Sequence, residues 1–299
     1  MEYFFQKKYF ALNSDIFISI VSKDNHQPTN LFLSIIKIID EFEKNYSRFQ
    51  ANSQLTGLNH HTNQKFYIST EFMEILKEVK RLSEITKGLF NPFILPNLQQ
   101  AGYVGSWPHP NYAQADINYK NENFQTIDKL EIGNNWVKIP KHSAIDLGGI
   151  GKGYLLDKIS NKLLKSGYNN YWLSIGGDII VNGHDENKQN WQIKIAEANN
   201  INNLYKIISN DTDQLLSVAT SGITKRRGLN WNHIINPSTL KPVNNDILTV
   251  TVSGNKAVET DVLAKTILID ESLVDKFKSI NLIHECYIQR KINDDVFLN

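Results

Sequence analysis

Half of the chain's 16 glycines fall between residues 148 and 183, in the stretch from Asp146 to Gly183. Glycine is concentrated in this way where backbone turns with positive φ or comes within contact distance of a ligand. Gly148, Gly149, Gly151 and Gly153 run straight into a helical pattern in which Tyr154, Leu155, Ile159, Leu163 and Leu164 recur at helical spacing, and Gly167 stands where a C′ glycine belongs. A glycine loop that opens a helix aims unpaired N–H groups and the positive end of the helix dipole at one point, which is chemistry for a phosphate. A tight strand-to-helix connection without a ligand accounts for the four glycines equally well, and Lys152 among them favours the anion. The loop is not a Walker A motif, which would need a glycine at position 146 and Ser or Thr at position 153, where Asp146 and Gly153 stand. The dinucleotide pattern G-x-G-x-x-G is absent as well.

The elements that must position this loop follow from hydrophobic periodicity. Residues 14–22 alternate as a half-buried strand, and Asn30 to Tyr46 carries one apolar helical face. A second amphipathic helix is predicted over 70–87, opened by Thr70 with Glu71 and Glu74 in its first turn and closed at Gly88. The segment 95–126, rich in Asn, Pro, Gly and aromatics, reads as a long loop covering the ligand. Residues 130–140 form a hairpin turning at Gly133-Asn134-Asn135. Strands are predicted at 171–175, 178–182, 190–196, 215–219, 247–253 and 284–289, and a helix at 256–269. Short turns between neighbouring strands favour an α+β fold with mainly antiparallel sheet, and no repeat or linker divides residues 1–299, which read as a single two-lobed unit.

Composition narrows the function classes. With 32 Lys and Arg against 31 Asp and Glu, no net field favours nucleic acid or an acidic membrane, and Lys225-Arg226-Arg227 reads as a local anion contact or solvated loop. One cysteine, Cys286, excludes an internal disulfide framework and a Cys-based metal cluster, and its strand-like setting suits a buried inert thiol. The N-terminal MEYFFQKKYFALNSDIFISIV lacks an apolar stretch followed by a small-residue cleavage site, no lipobox cysteine is present, and no apolar run reaches the roughly 20 residues of a membrane span. The chain therefore reads as cytoplasmic.

Six segments, in order, resemble the ApbE family of FAD:protein FMN transferases. They are YSRFQANSQLTGLN (46–59), GLFNPFILPNLQQAGY (88–103), DLGGIGKG with SIGGDI (174–179), SVATSG (217–222), HIINPSTLKPV (233–243) and VETDVLAKT (258–266). The resemblance implies an ApbE-like, T-fold-related unit that binds FAD and moves FMN onto a Ser or Thr of a client protein, releasing AMP. The same site with water as nucleophile would be an FAD pyrophosphatase, and a chain without a working magnesium site would be a non-catalytic flavin-binding homologue.

The resemblance also assigns residues. His233, Lys152 and Asp178 are the catalytic candidates; a histidine's ordinary pKa near 6.5 suits proton transfer or a contact to the flavin phosphate. Asn59, Gly148, Gly149, Lys152, Gly176, Gly177, Asp178, Thr220, Ser221, Gly222 and His233 would hold the nucleotide, with aromatic walls from Tyr103 and Trp107. Magnesium would take oxygen ligands from Gly151 and Asp261, a hard-oxygen set. The family's third ligand, a Thr four residues beyond the acid, is Lys265 here, and Thr266 follows it. Three arrangements are open: a helix bulge that brings in Thr266, a magnesium with one ligand fewer, or a Lys265 ammonium in the cation's place. Asn91, Asn236, Ile223-Thr224 and Leu240 also depart from the family pattern, at positions of Asp, Asp, Asp-Tyr and Gly.

Overall fold

In the computed structural model, residues 1–101, 103, 124–211, 214–224 and 232–291 are described. The chain begins with β1 (Tyr3–Ala11), β2 (Ser14–Ser22), α1 (Thr29–Tyr46), α2 (Gln54–His60), β3 (Phe66–Tyr67), α3 (Thr70–Ile85) and α4 (Leu95–Gln100). It continues through β4 (Glu131–Ile132), β5 (Trp136–Lys138), α5 (Gly151–Lys165), β6 (Asn170–Ile175), β7 (Asp178–Asn182), β8 (Gln192–Ala196) and β9 (Leu204–Ser209). Then come β10 (Leu216–Gly222), β11 (Ile235–Asn236), β12 (Lys241–Pro242), β13 (Ile247–Gly254), α6 (Ala257–Ile269), α7 (Val274–Ser279) and β14 (Cys286–Arg290).

A seven-stranded sheet in the order β1-β2-β6-β7-β10-β13-β14 forms the frame, and its neighbours pair antiparallel. With the helices this is the expected α+β fold. The alternation of a strand's side chains gives the sheet two apolar faces. On β7, Ile180 joins a core with Ile35 of α1, Phe72 of α3 and Leu155 of α5, whereas Val181 joins Ile193 of β8 and Ile208 of β9. α1 buries Phe32, Ile35, Ile39, Phe42 and Tyr46, the face its spacing predicts. In α3 the Ser69 side chain caps the first turn by accepting from the Phe72 N–H at 3.2 Å. α5 closes with the expected glycine: Gly167 has φ +83°, and the Tyr168 N–H bonds back to the Leu163 carbonyl at 3.0 Å.

α6 is different in kind. Eleven of its 13 residues are buried, Glu259, Thr260, Asp261 and Thr266 among them, because the helix is enclosed by β10, β13 and α5. Polar groups so placed must find partners inside the protein. Glu259 does so on Arg81 and Thr260 on Ser217, and Asp261 does so at the site described below.

Two sequence expectations change. Leu95–Gln100 is helical rather than loop, following a 3₁₀ turn at Pro92–Ile94; six residues are too few to display a helical period. Tyr103 and residues 124–126 are the other described parts of that segment, and Trp107 lies outside the described residues, as does Lys225-Arg226-Arg227. β1, α2, β9 and α7 have no counterpart among the expected elements; β9 exposes Leu204, Tyr205 and Ile207, so its apolar residues do not alternate. Cys286 opens β14, and burial pushes its thiol up to about 11, which keeps it protonated. No described helix is long and apolar enough to cross a membrane.

Candidate functional site

Segments far apart in sequence close around a cavity of about 210 Å³. Its walls come from the end of α1 with Ser47–Phe49, from Leu89–Asn91, from the Asp146–Lys152 loop, from His233–Ile235 and from Lys265 and Thr266 of α6. Tyr103, largely buried, adds an aromatic wall, with the Arg48 guanidinium 5.1 Å from its ring centre.

The glycines of the loop have separate tasks. Gly148, Gly149 and Gly151 line the cavity. A Cβ at Gly148 would lie 2.8 Å from Asp146 Oδ1, the atom that accepts the Gly148 N–H, so the backbone wraps its own carboxylate. Gly153 does not reach the cavity; it is a packing residue. A Cβ there would lie 2.3 Å from the Ala257 carbonyl oxygen, so its absence lets α5 and α6 touch backbone to backbone. Gly176 and Gly177, with φ +61° and +98°, form a two-residue hairpin loop between Ile175 and Asp178, the turn that matches strand twist and demands positive φ at both positions. They set the fold rather than line the cavity.

Where the two helices touch, each completes the other's first turn. Neither α5 nor α6 has a capping side chain at its own N-cap, Ile150 or Lys256. Asp157 of α5 instead accepts the Ala257 and Val258 N–H groups, both at 2.9 Å, and Asp261 of α6 accepts the Gly153 N–H at 3.1 Å. Carboxylates at helix N-termini meet orphan donors and the positive dipole end. Burial nonetheless pushes the Asp157 carboxyl up to about 6, against those two N–H groups. Asp157 was not among the sequence candidates, although it follows Gly153 by four residues as Asp261 follows Ala257.

Asp261 is 1% exposed and surrounded by cations. Lys265 Nζ bonds to its Oδ1 and to its main-chain carbonyl, the latter at 2.9 Å, and Lys152 Nζ stands 3.8 Å from the same Oδ1 while bonding to Asp178 Oδ2. Burial opposes charge on Asp261, but the ammonium groups of Lys152 and Lys265 outweigh it and hold the carboxyl below its ordinary value of 3.8. Asp178 thus acts on the cavity through Lys152. Thr266 lines the cavity, yet its Oγ1 donates to the Val262 carbonyl at 3.0 Å within an unbroken helix. Gly151, Asp261 and Thr266 are therefore near one another without forming an open set of oxygens: one Asp261 oxygen is taken by an ammonium and the other by a backbone N–H. Among the described residues no group of three His, Cys, Asp or Glu side chains comes together to hold a metal.

Other expected residues lie elsewhere. Asn59 is a backbone clamp: its Nδ2 donates to the Ile145 carbonyl at 2.9 Å and its Oδ1 accepts the Ile145 N–H at 2.8 Å, which anchors the segment entering the glycine loop. Thr220, Ser221 and Gly222 are in β10, away from the cavity walls, with Thr220 Oγ1 2.8 Å from Thr251 Oγ1 across the pair. His233 does line the cavity. One of the departures has a local explanation. Asn91 accepts from the Phe93 N–H and donates to the Gln125 carbonyl, both at 2.9 Å, and an aspartate could make only the first bond. Asn236 Oδ1 accepts the Ser238 N–H at 2.8 Å in the turn that ends at Leu240, which has φ +59°.

The pair that sequence reasoning missed is Arg48 with Asp146. Arg48 is not an exposed arginine: both side chains are 9% exposed, Arg48 Nε lies 3.0 Å from Asp146 Oδ2, and Arg48 Nη2 is a buried donor without a partner among the described residues. Only the preceding Tyr-Ser and following Phe hinted at burial there.

Comparison with known proteins fits this arrangement. A protein of Vibrio cholerae serotype O1 called FAD:protein FMN transferase is 28% identical over 242 residues, covering 79% of this chain and 72% of its own. One of Chlamydia pneumoniae with the same name is 24% identical over 277 residues, covering 90% and 84%. The solved structure of flavin transferase ApbE from Vibrio cholerae superposes with a TM-score of 0.81 at 23% identity over 98% of this chain and 96% of that one, and the apbe protein from Thermotoga maritima with 0.84 at 22% over 97% of each. These establish a shared fold. The sequence pattern of the ApbE family itself matches residues 13–277, from the β1–β2 turn into α7 and so across the cavity walls named above, and the chain belongs to the ApbE family.

Proposed function

We propose that this protein binds FAD in the cavity and transfers its FMN half to the hydroxyl of a Ser or Thr on a client protein, releasing AMP. The observation that carries the reading is the meeting of the glycine loop and Lys152 with His233 around one cavity whose walls also include the aromatic rings of Phe42, Phe49, Phe90 and Tyr103. Cleavage of a pyrophosphate needs charge neutralisation, an aligned nucleophile and a grip on both nucleotide halves. In this reading Gly148, Gly149 and Lys152 receive the phosphates, Asp178 holds Lys152 in place, and Tyr103 and Phe49 flank a ring. The client's hydroxyl oxygen forms a bond to the FMN phosphorus, the bond from that phosphorus to the bridging oxygen breaks, and AMP leaves with the electron pair. The hydroxyl proton passes to the imidazole of His233, histidine being the side-chain type best suited to proton transfer near neutral pH. The names of the relatives, FAD:protein FMN transferase, support the same activity.

The test is to incubate purified protein with FAD, with and without a client domain, and to follow AMP release and covalent flavin. Both together, with an FAD-dependent rise in melting temperature, are expected. AMP without covalent flavin would make the protein a pyrophosphatase. FAD binding without AMP would make it a flavin-binding homologue, and no FAD-dependent shift at all would remove the cavity from consideration.

A further inference from the structure

The magnesium ion that family membership implies meets a closed site in this chain. Magnesium keeps a near-octahedral shell of hard oxygens and gives up its waters reluctantly. Asp261 offers it a buried carboxylate with Oδ1 on the Lys265 ammonium and Oδ2 on the Gly153 N–H, and the Thr266 hydroxyl is committed to the Val262 carbonyl. An entering dication would have to displace a lysine that lies one helical turn away on the same helix, at the spacing that favours the pair.

An ammonium has three N–H donors. Lys265 spends two of them within its own helix, on the Asp261 main-chain carbonyl at 2.9 Å and on Oδ1. It is also a cavity-lining residue, 18% exposed at its side chain, with its Cδ 3.8 Å from where a Cβ of Gly149 would sit. One of its N–H groups is left over at the cavity wall beside the glycine loop. We propose that Lys265 is a resident, covalently attached cation: together with Lys152 it supplies the positive charge that receives an anionic phosphate ligand, and magnesium competes with it rather than assisting it. This rests on the FAD reading above for the ligand, and on the Asp261–Lys265 pair alone for the metal.

The experiment has two readouts. MgCl₂ is titrated into ligand-free protein by calorimetry and followed by thermal shift, and FAD is titrated by flavin fluorescence in excess EDTA or in millimolar MgCl₂. Wild type is expected to show no saturable magnesium binding and an FAD affinity equal in the two buffers within about twofold. Lys265→Thr, and Lys265→Gln, which keeps the side chain's bulk, are expected to lose about tenfold or more in FAD affinity in EDTA, the scale of one hydrogen bond to a charged group. Lys265→Thr should regain it in MgCl₂ and acquire a magnesium-dependent thermal shift. Saturable magnesium binding by wild type, a wild-type FAD affinity that collapses in EDTA, or full FAD affinity of both variants in EDTA would each overturn the proposal. If wild type binds FAD in neither buffer, the FAD reading fails, and the magnesium titrations of wild type and Lys265→Thr still decide whether Lys265 holds the cation's place.

Discussion

Gly151 and Gly153 stand two residues apart in the first turn of α5 and should respond to the same substitution with opposite sign. A Cβ at Gly153 would sit 2.3 Å from the Ala257 carbonyl oxygen and 2.7 Å from both the Ala257 carbonyl carbon and Val258 Cα. These are more than about 1 Å, or close to it, inside the optimum for non-bonded contact. All three are backbone atoms of α6, so no side chain can rotate out of the way; the helices must separate. Overpacking of this kind costs about 1–3 kcal/mol. Separation also loosens the Gly153 N–H bond to Asp261 at 3.1 Å and the Ala257 and Val258 bonds to Asp157 at 2.9 Å, each a hydrogen bond to a carboxylate worth about 1.5–3 kcal/mol. Alanine returns about 0.5–1 kcal/mol of helix preference. With the carboxylate bonds stretched rather than lost, Gly153→Ala should cost about 2–4 kcal/mol, a fall in melting temperature on the order of 5–10 °C. At Gly151 the added methyl would meet Phe42 ring atoms at 3.6 and 3.7 Å, ordinary contact, so Gly151→Ala should lie between neutral and about 1 kcal/mol more stable. Urea unfolding followed by circular dichroism compares the two. A Gly153→Ala midpoint within about 1 kcal/mol of wild type, or equal effects at the two positions, would show that α5 and α6 are not in backbone contact.

Three further outcomes are expected. Because burial pushes Asp157 up to about 6 from 3.8, the unfolded chain releases that proton first as pH rises, so this group's contribution favours folding at low pH and is lost through pH 6. The stability deficit of Asp157→Asn should accordingly be about 2 kcal/mol larger at pH 4.5 than at pH 7, and the opposite trend would mean that the two N–H donors outweigh burial. Leu240→Gly should stabilise the protein by about 0.5–1 kcal/mol by relieving a left-handed leucine at φ +59°, and a lower melting temperature would show that Leu240's packing matters more than its backbone. Lys152→Met should weaken FAD binding by about tenfold or more in fluorescence titration, and unchanged affinity would take Lys152 out of the phosphate site.

What local sequence determined is local geometry. The helical faces of α1 and α3, the C′ role of Gly167, the hairpin at Gly133-Asn134-Asn135 and the strands β2, β6, β7, β10 and β13 are each set by dihedral preferences and by apolar periodicity within a few residues, and such signals survive in a single chain. The glycine loop and its lysine were legible for the same reason, and the six ordered motifs were sufficient to indicate the family. What Gly153 is for was not legible, because the answer lies on a partner distant in sequence, the Ala257 backbone. Asn59 has the composition of a ligand-binding residue and is instead spent on Ile145, 86 positions away. Arg48 has that of a surface residue and is buried on Asp146. The three arrangements open for Lys265 also needed the fold. A lysine four residues after an aspartate pairs with it weakly on a solvated helix, where water competes for both charges. Here β10, β13 and α5 enclose α6 and exclude that water, so Asp261 must take its partners from protein, and the nearest cation on its own helix is Lys265.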